Sequence, residues 1–337
     1  MTKNLKTKII AEIGINHGGS VSKALKHVVA AKNSGADVVK FQFFKTTNLV
    51  SKNAKKARYQ LHSTKDKQKQ FNLLKPLELS IKDFLKIKKF CANKKIEFMI
   101  SIFDESGIEA IKKLKVSSVK IPSGEINNYP LLEKISKLNK KIILSTGMSN
   151  FKEIDNAIKI FTHNGIKKKE ITILQCNSSY PTPLDDVNLN ILKEYKKRFK
   201  VKIGYSDHTE GLDSSLAAVS LGASVIEKHF TLNKKLKGPD HSSSLNPSEF
   251  KKLTYHIRNI ERCLGSKIKK ITKSEKENYQ AVRKSIVACS IIEKGEKFNL
   301  KNITTKRPAG GLSPEKWDKV IGKTAKKNFK EDEFIKI

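Results

Sequence analysis

The sequence predicts a (β/α)8 barrel followed by a small mixed-β domain. Three observations carry that expectation. Short β-branched runs alternate with longer amphipathic stretches from residue 7 to residue 229, polar and charged residues gather where those runs end, and beyond residue 282 the spacing changes to short extended runs broken by Gly and Pro. Parallel strands need crossover helices, and eight strand–helix units close a barrel.

The eight candidate strands are Thr7–Ile13, Ala36–Gln42, Ile96–Ser101, Ser118–Ile121, Lys141–Ser145, Ile171–Gln175, Lys202–Gly204 and Ser224–Glu227. Between them, Ser22–Ser34 carries Ala24, Leu25, Val28, Val29 and Ala31 near helical period. Ser80–Ala92, Glu105–Leu114, Leu131–Leu138 and Leu212–Leu221 behave alike, and Ser80 with Asp83 three residues on reads as a capping box. The expected divisions are residues 1–267 as barrel, a charged linker over 268–282, and residues 283–337 as the small domain. Within that domain Ser285–Ala288 and Ile303–Arg307 read as strands, Ile291–Glu296 as an extended run into a turn, and a short strand is expected at its end.

Composition excludes several classes. The 337 residues are 38% hydrophobic and 30% charged, which suits a folded core rather than a disordered chain. No run approaches the roughly 18 apolar residues of a membrane span. The stretch before Glu12 is too short for a secretory signal. Cys91, Cys176, Cys263 and Cys289 are scattered and form no CxxC pair, so a reduced, cytoplasmic enzyme is expected. The formal charge of +35 invites a nucleic-acid partner. The lysines, however, lie in short scattered groups without interleaved aromatics, and no nucleic-acid-binding motif is present. A solvated Lys-rich surface accounts for them better than specific nucleic-acid binding.

The strand ends carry the chemistry, as they do in such barrels. AEIGINHGGS (Ala11–Ser20) puts Glu12 at an apolar strand end, where a carboxylate is costly without a partner or a role. Lys40 and Gln42 close the second strand and Ser101 the third. KIPSGEINNYP (Lys120–Pro130) packs Lys120, Ser123 and Glu125 into six residues, a set suited to a phosphate, a sugar hydroxyl or a proton transfer. LSTGMS offers Ser145, and Ser178 and Tyr180 follow the sixth strand. YSDHT (Tyr205–Thr209) offers Ser206 and His208, and IEKHFT offers His229. His208 and His229, on neighbouring strand ends with Asp207 and Glu227 close by, could share Mn²⁺, Fe²⁺ or Zn²⁺; His17 and His241 compete as ligands. GPDHSSS places Asp240 after the last strand, and TTKRPAGG places Arg307 beside a Pro/Gly loop.

In this order KIPSGE, LSTGM, SYPTP, GYSDHT, EKHFT, GPDH and TTKRP closely resemble the bacterial sialic acid synthases, whose wider family also makes legionaminic and pseudaminic acids. The resemblance runs from Ile9 to about Phe334. It implies a (β/α)8 barrel with a C-terminal antifreeze-like (SAF) domain of β-clip type, and a homodimer in which that domain caps the partner's barrel. It further implies condensation of phosphoenolpyruvate (PEP) with an N-acetylhexosamine, with Mn²⁺ or another divalent ion such as Mg²⁺ or Co²⁺, and release of phosphate. Residue by residue, it puts the metal on His208 and His229. PEP falls on Lys40, Gln42, Ser101, Lys120, Ser123, Ser145, Ser178 and Ser206, and the sugar on Tyr180, Asp240 and Arg307. Glu12 and Glu125 take the catalytic positions. The implied sugar is N-acetylmannosamine, giving N-acetylneuraminate, with 2,4-diacetamido-2,4,6-trideoxymannose, giving the legionaminic product, as the alternative. A PEP- or phosphate-using aldolase and a polyanion-binding module without catalysis are the other classes weighed. The third strand ends Ile100-Ser101-Ile102-Phe103 where the family usually has Ser-Thr-Pro-Phe, and Ser178 stands where some members have Asn.

Overall fold

A computed structural model describes residues 6–57, 60–61 and 68–337. The chain divides into two compact units, Met1–Gly265 and Ser266–Ile337. In the first, eight parallel strands close a barrel in sequence order: β1 Lys8–Gly14, β2 Val38–Phe43, β3 Glu97–Ile102, β4 Ser118–Ile121, β5 Lys141–Ser145, β6 Ile171–Cys176, β7 Lys202–Asp207 and β8 Val225–His229. β1 pairs with both β2 and β8, which closes the ring.

The expected barrel is present, with strand starts within two residues of the sequence reading. β7 and β8 run further than expected, through Ser206-Asp207 and Lys228-His229. Their polar ends read as loop in sequence because a polar side chain inside a strand is normally unfavourable; here the barrel mouth provides partners for them. The Ser80–Asp83 capping box forms, with Asp83 N donating to Ser80 Oγ at 3.2 Å. Helices Phe151–His163, Ile191–Phe199 and Pro247–Leu264 complete the outer layer. Their buried positions are regularly spaced, as in Leu192, Tyr195 and Phe199, but lysines crowd the other face and blur the pattern.

Period-2 alternation sorts the strand residues into layers. Ile10, Val38, Met99, Ile143, Leu174 and Val225 pack together as an apolar floor inside the barrel. Two residues further along each of those strands stand Glu12, Lys40, Ser101, Ser145, Cys176 and Glu227. The intervening residues, such as Ala11, Val39, Ile100, Leu144 and Ile226, belong to the larger core between strands and helices.

In the second unit, β9 (Ser285–Ala288) pairs antiparallel with β10 (Ile303–Lys306) over a core of Ile286, Ile292, Phe298, Ile303 and Phe329. The extended run at 291–296 and the expected terminal strand form only isolated bridges, Ile292 with Phe329 and Val287 with Phe334. The 291–296 run is extended into a turn as read, with Glu296 N donating to the Glu293 carbonyl at 3.1 Å; the single bridge at Phe334 is too short to count as a strand, which corrects the expectation of a terminal strand. The charged stretch expected as a linker contains a helix, Lys273–Val282, capped by Thr272 and with no buried residue.

His17, in the turn after β1, is 1% exposed; its ring lies 6.1 Å from that of Phe41 and its Nδ1 accepts from Gly19 N at 3.1 Å. Burial, with His27 nearby, holds its pKa down at about 4. A histidine depressed in the fold binds its proton more readily once unfolded, so its contribution is present above the unfolded value and is lost as pH falls from about 6.5 towards 4. Urea unfolding should therefore show the native chain losing roughly 2 kcal/mol more than a His17→Gln variant between pH 7.5 and pH 5. Equal losses in the two proteins would show that His17 does not carry this acid sensitivity.

Candidate active site

Each barrel strand contributes one residue to a ring in the wall of a cavity of about 400 Å³ at the C-terminal mouth: Glu12, Lys40, Ser101, Lys120, Ser145, Cys176, Ser206 and Glu227, from β1 to β8 in order. Above this ring the wall continues with Gln42, Ser123, Ser178, Tyr180, His208, His229 and Asp240. Thirteen of the fifteen residues expected at a site from sequence are thereby brought together in one cavity.

Two of the expected residues do not line it. Glu125, on the turn Ser123–Glu125, accepts from Asn128 Nδ2 at 2.7 Å, and the cavity wall there is made by Ser123 and Gly124. Arg307 follows β10 in the second unit and is exposed. Of the competing histidines, His17 is packed as described and His241 Nδ1 pairs with Thr231 Oγ1 at 2.7 Å.

Four charges are buried on the ring. Lys40 Nζ lies 2.7 Å from Glu12 Oε2 and 3.6 Å from Glu227 Oε1, and Lys120 Nζ lies 3.6 Å from the same Glu227 oxygen. Burial pushes the Glu12 carboxyl up to about 7 against the pull of Lys40, with Glu227 adding to the rise. Glu227 meets the same burial, but Lys120, Lys40 and the Ser206 hydroxyl, 3.0 Å away, hold it below the usual carboxylate range. Burial lowers Lys120, and the two glutamates keep Lys40 protonated. The ring thus holds one carboxyl able to exchange a proton near neutral pH and one that stays ionised. Glu227 alternates with His229 on β8, a period-2 signal that could have placed it in the site from sequence.

Two glycines allow the side chains above the ring to converge. A Cβ on Gly147 would stand 2.6 Å from Ser178 Oγ and 2.9 Å from Ser123 Oγ, and its N–H donates to Ser123 Oγ at 3.0 Å. Gly14, at φ +55°, lies where Glu12, Gln42 and Asp240 meet: its Cβ would be 3.1 Å from Glu12 Oε1 and 3.7 Å from Asp240 Oδ2. Burial raises Asp240 to about 6.

The imidazoles of His208 and His229 lie with ring centroids 5.5 Å apart, and Tyr180 stacks on His208 at 4.0 Å. His208 Nδ1 donates to the Asn177 carbonyl at 2.6 Å, which leaves Nε2 to face Ser206 at 3.4 Å. His229 Nδ1 is buried without a hydrogen-bond partner, 3.9 Å from Asp240 Oδ2. Burial first, then His208 and Lys40, hold His229 far below its usual pKa and hence neutral. Neutral imidazole nitrogen is the donor chemistry a divalent transition ion requires, and His229 supplies it; at His208, oriented by a backbone carbonyl, burial is outweighed by Cys176, which raises the pKa, so that ring gives up its proton when it takes an ion. Among the described residues no three His, Cys, Asp or Glu side chains converge to enclose an ion. The pair therefore fits an open site whose remaining positions belong to water or substrate.

The other side of the cavity is apolar, with Ile15, Phe44, Leu49, Val50, Leu74 and Phe103 in its wall. Hydrophobic period does not mark them in sequence, since they come from loops and from helices of only four and five residues, Thr46–Leu49 and Gln70–Leu74. Ser145 Oγ and Glu227 Oε2 are, like His229 Nδ1, buried without a hydrogen-bond partner among the described residues. Three such atoms around one cavity point to a polar ligand that completes them.

Comparison with known proteins agrees with this geometry. Residues 27–269 match the NeuB family and residues 283–337 match the SAF domain. The chain is 49% identical to the N,N'-diacetyllegionaminic acid synthase of Campylobacter jejuni, over 98% of this chain and 99% of that protein. It is 40% identical to the synthase of the same name from Legionella pneumophila, over 95% and 91%. Among solved structures it is similar to the N-acetylneuraminic acid synthetase of Leptospira borgpetersenii, with a TM-score of 0.71, 33% identity, and coverage of 82% of this chain and 90% of that one. With the family matched across most of the barrel and these relatives matched almost end to end, the chain belongs to the NeuB family.

Proposed function

We propose that the chain is a PEP-dependent nonulosonic acid synthase, joining C3 of PEP to the aldehyde carbon of an open-chain N-acetylated sugar and releasing inorganic phosphate. The observation that carries this reading is the ring itself: two buried lysines and a set of hydroxyls beside a carboxyl that titrates near 7, under two imidazoles. Lys120, Ser123, Ser145, Ser178 and Ser206 hold the phosphate, with Lys40, Gln42 and Ser101 around the remainder of PEP. A phosphate there satisfies the unpartnered Ser145 hydroxyl and meets the charge of Lys120.

A divalent ion on His208 and His229, with Mn²⁺, Mg²⁺ and Co²⁺ as candidates, supplies Lewis acidity toward the aldehyde oxygen. The chain's own residues do the rest. As the C–C bond forms, positive charge develops at C2 of PEP and water adds there, giving its proton to Glu12. The tetrahedral centre then breaks its bond to the bridging oxygen, and phosphate leaves into the lysine and serine cradle. Glu125, once turned from Asn128, gives its proton to the alkoxide left on the former aldehyde carbon and so forms the new hydroxyl, while Tyr180 and Asp240 orient the sugar. The partner subunit's Arg307 takes the N-acetyl carbonyl in a homodimer with exchanged SAF domains. A cytoplasmic location and the absence of nucleic-acid and membrane partners complete the proposal. They accord with scattered surface lysines and with the lack, among the described residues, of any helix long and apolar enough to cross a membrane.

Of the two sugars, 2,4-diacetamido-2,4,6-trideoxymannose is preferred. The relatives at 49% and 40% identity carry the legionaminic name, and that at 33% the neuraminic one. The apolar wall suits two acetamido methyls and a C6 methyl, each buried carbon contributing about 0.8 kcal/mol. N-acetylmannosamine is the second reading.

Metal-stripped protein should release phosphate from PEP only when Mn²⁺ and sugar are both restored. kcat/KM should be about tenfold or more higher for the trideoxy sugar, since a few buried methyl groups are worth that much. Release without sugar, or none with either sugar from correctly folded protein, overturns the synthase reading; a preference for N-acetylmannosamine selects the second.

Because Glu12 acts as a base, kcat should fall as pH drops through about 7 and level off above it. Glu12→Gln should lower kcat by roughly 10²–10⁴ and abolish that limb of the profile. An unchanged limb in the variant would remove Glu12 from the proton transfer.

A further inference from the structure

The barrel's outer face carries a second buried ion pair directly behind the two imidazoles. On β7 and β8, Ser206 and His208 alternate with Asp207, and Glu227 and His229 alternate with Lys228. Asp207 and Lys228 are register partners, each 1% exposed, and their charges lie 2.9 Å apart. Every acceptor position of the Asp207 carboxylate is engaged. Oδ1 accepts from Thr209 N and Thr209 Oγ1, both at 2.8 Å, and Oδ2 accepts from Ser214 Oγ at 2.8 Å and Ser215 Oγ at 2.5 Å. Lys228 Nζ also donates to the Thr209 carbonyl at 2.7 Å.

The bond from Thr209 N to the Asp207 side chain closes an Asx turn with His208 at its centre, so the backbone that presents His208 is set by this carboxylate. The carboxylate is in turn fixed to Lys228, the residue immediately before His229. A buried ion pair is weak support for stability, because desolvation offsets most of its attraction. Its geometry accounts for a different property, the spacing of two side chains on adjacent strands.

We propose that Asp207 and Lys228 are positioning residues that lock His208 and His229 at the separation required to share one divalent ion. This rests on the reading that those two histidines hold the metal. The network reaches the imidazoles through the backbone and through the charge of Lys228, which adds to the lowering of His229, and its hydroxyls at Ser214 and Ser215 tie it to the helix Asp213–Ser220 on the barrel exterior.

The test is Mn²⁺ affinity of the metal-stripped full chain, by calorimetry or by the free-Mn²⁺ electron paramagnetic signal, beside its melting temperature and its affinity for PEP without metal. Asp207→Asn and Lys228→Met should each weaken Mn²⁺ binding about tenfold or more, with PEP affinity within about twofold of the native chain. The double variant removes the unpaired charge, so it should recover melting temperature while Mn²⁺ affinity stays weakened. Lower melting temperature with unchanged Mn²⁺ affinity overturns the inference, as does a double variant that recovers both. If the charge variants do not fold, Ser215→Ala, which keeps both charges, decides: about threefold weaker Mn²⁺ binding supports the inference and no change overturns it. A native chain that binds no Mn²⁺ sinks the metal reading and this inference together, which separates that failure from loss of positioning alone.

Discussion

Four charges share the floor of the cavity, and the site depends on their mutual compensation. Glu12, Lys40, Lys120 and Glu227 are each no more than 4% exposed. An isolated ion at such a position would cost several kcal/mol and would neutralise instead. Two of each sign, linked at 2.7–3.6 Å, can stay in place. The compensation is also uneven. Glu227 touches both lysines and stays ionised, whereas Glu12, which among the described residues has only Lys40 within ion-pair distance, is pushed towards neutral pH. One ring therefore provides both an anion cradle and a proton acceptor, with no residue added for the second task.

The barrel makes this possible through its two-residue repeat. Inward positions run from an apolar floor, through the charged ring, to the glycines, serines and imidazoles above it. Outward positions at the same height hold the core and, behind the imidazoles, the Asp207–Lys228 pair. Catalytic and supporting residues are thus neighbours in sequence with opposite faces, and a one-residue slip of β7 or β8 would exchange them.

Much of this was legible in the sequence. The eight strands stood out because barrel interiors demand β-branched runs, and the polar residues at and after the ends of those runs named most of the cavity's polar lining. The ends of β7 and β8 were read too short, since hydrophobicity alone cannot distinguish a polar strand residue with buried partners from a loop residue. The alternation of Glu227 with His229 on β8 marks it as facing the site, but its charge state depends on lysines from β2 and β4 that no local pattern links to it. The apolar wall from Ile15 to Phe103 left no periodic signal, because it is assembled from loops and helices of four or five residues, too short to show a period. In the small domain both internal strands and the turn after Ile291 were legible, whereas the terminal strand was not: its extended residues pair in the ladder sense only as the bridge of Phe334 with Val287.

The central claim is that the charged ring is a PEP site in its own right, before metal or sugar arrives. Calorimetric titration of metal-stripped protein with PEP, with pyruvate as the control lacking phosphate, tests it directly. The account predicts that PEP binds, that pyruvate binds far more weakly, and that Lys120→Met weakens PEP by about 10–100-fold, the value of one charge-assisted contact. Equal binding of PEP and pyruvate, or a Lys120→Met protein that binds PEP as the native chain does, would contradict it.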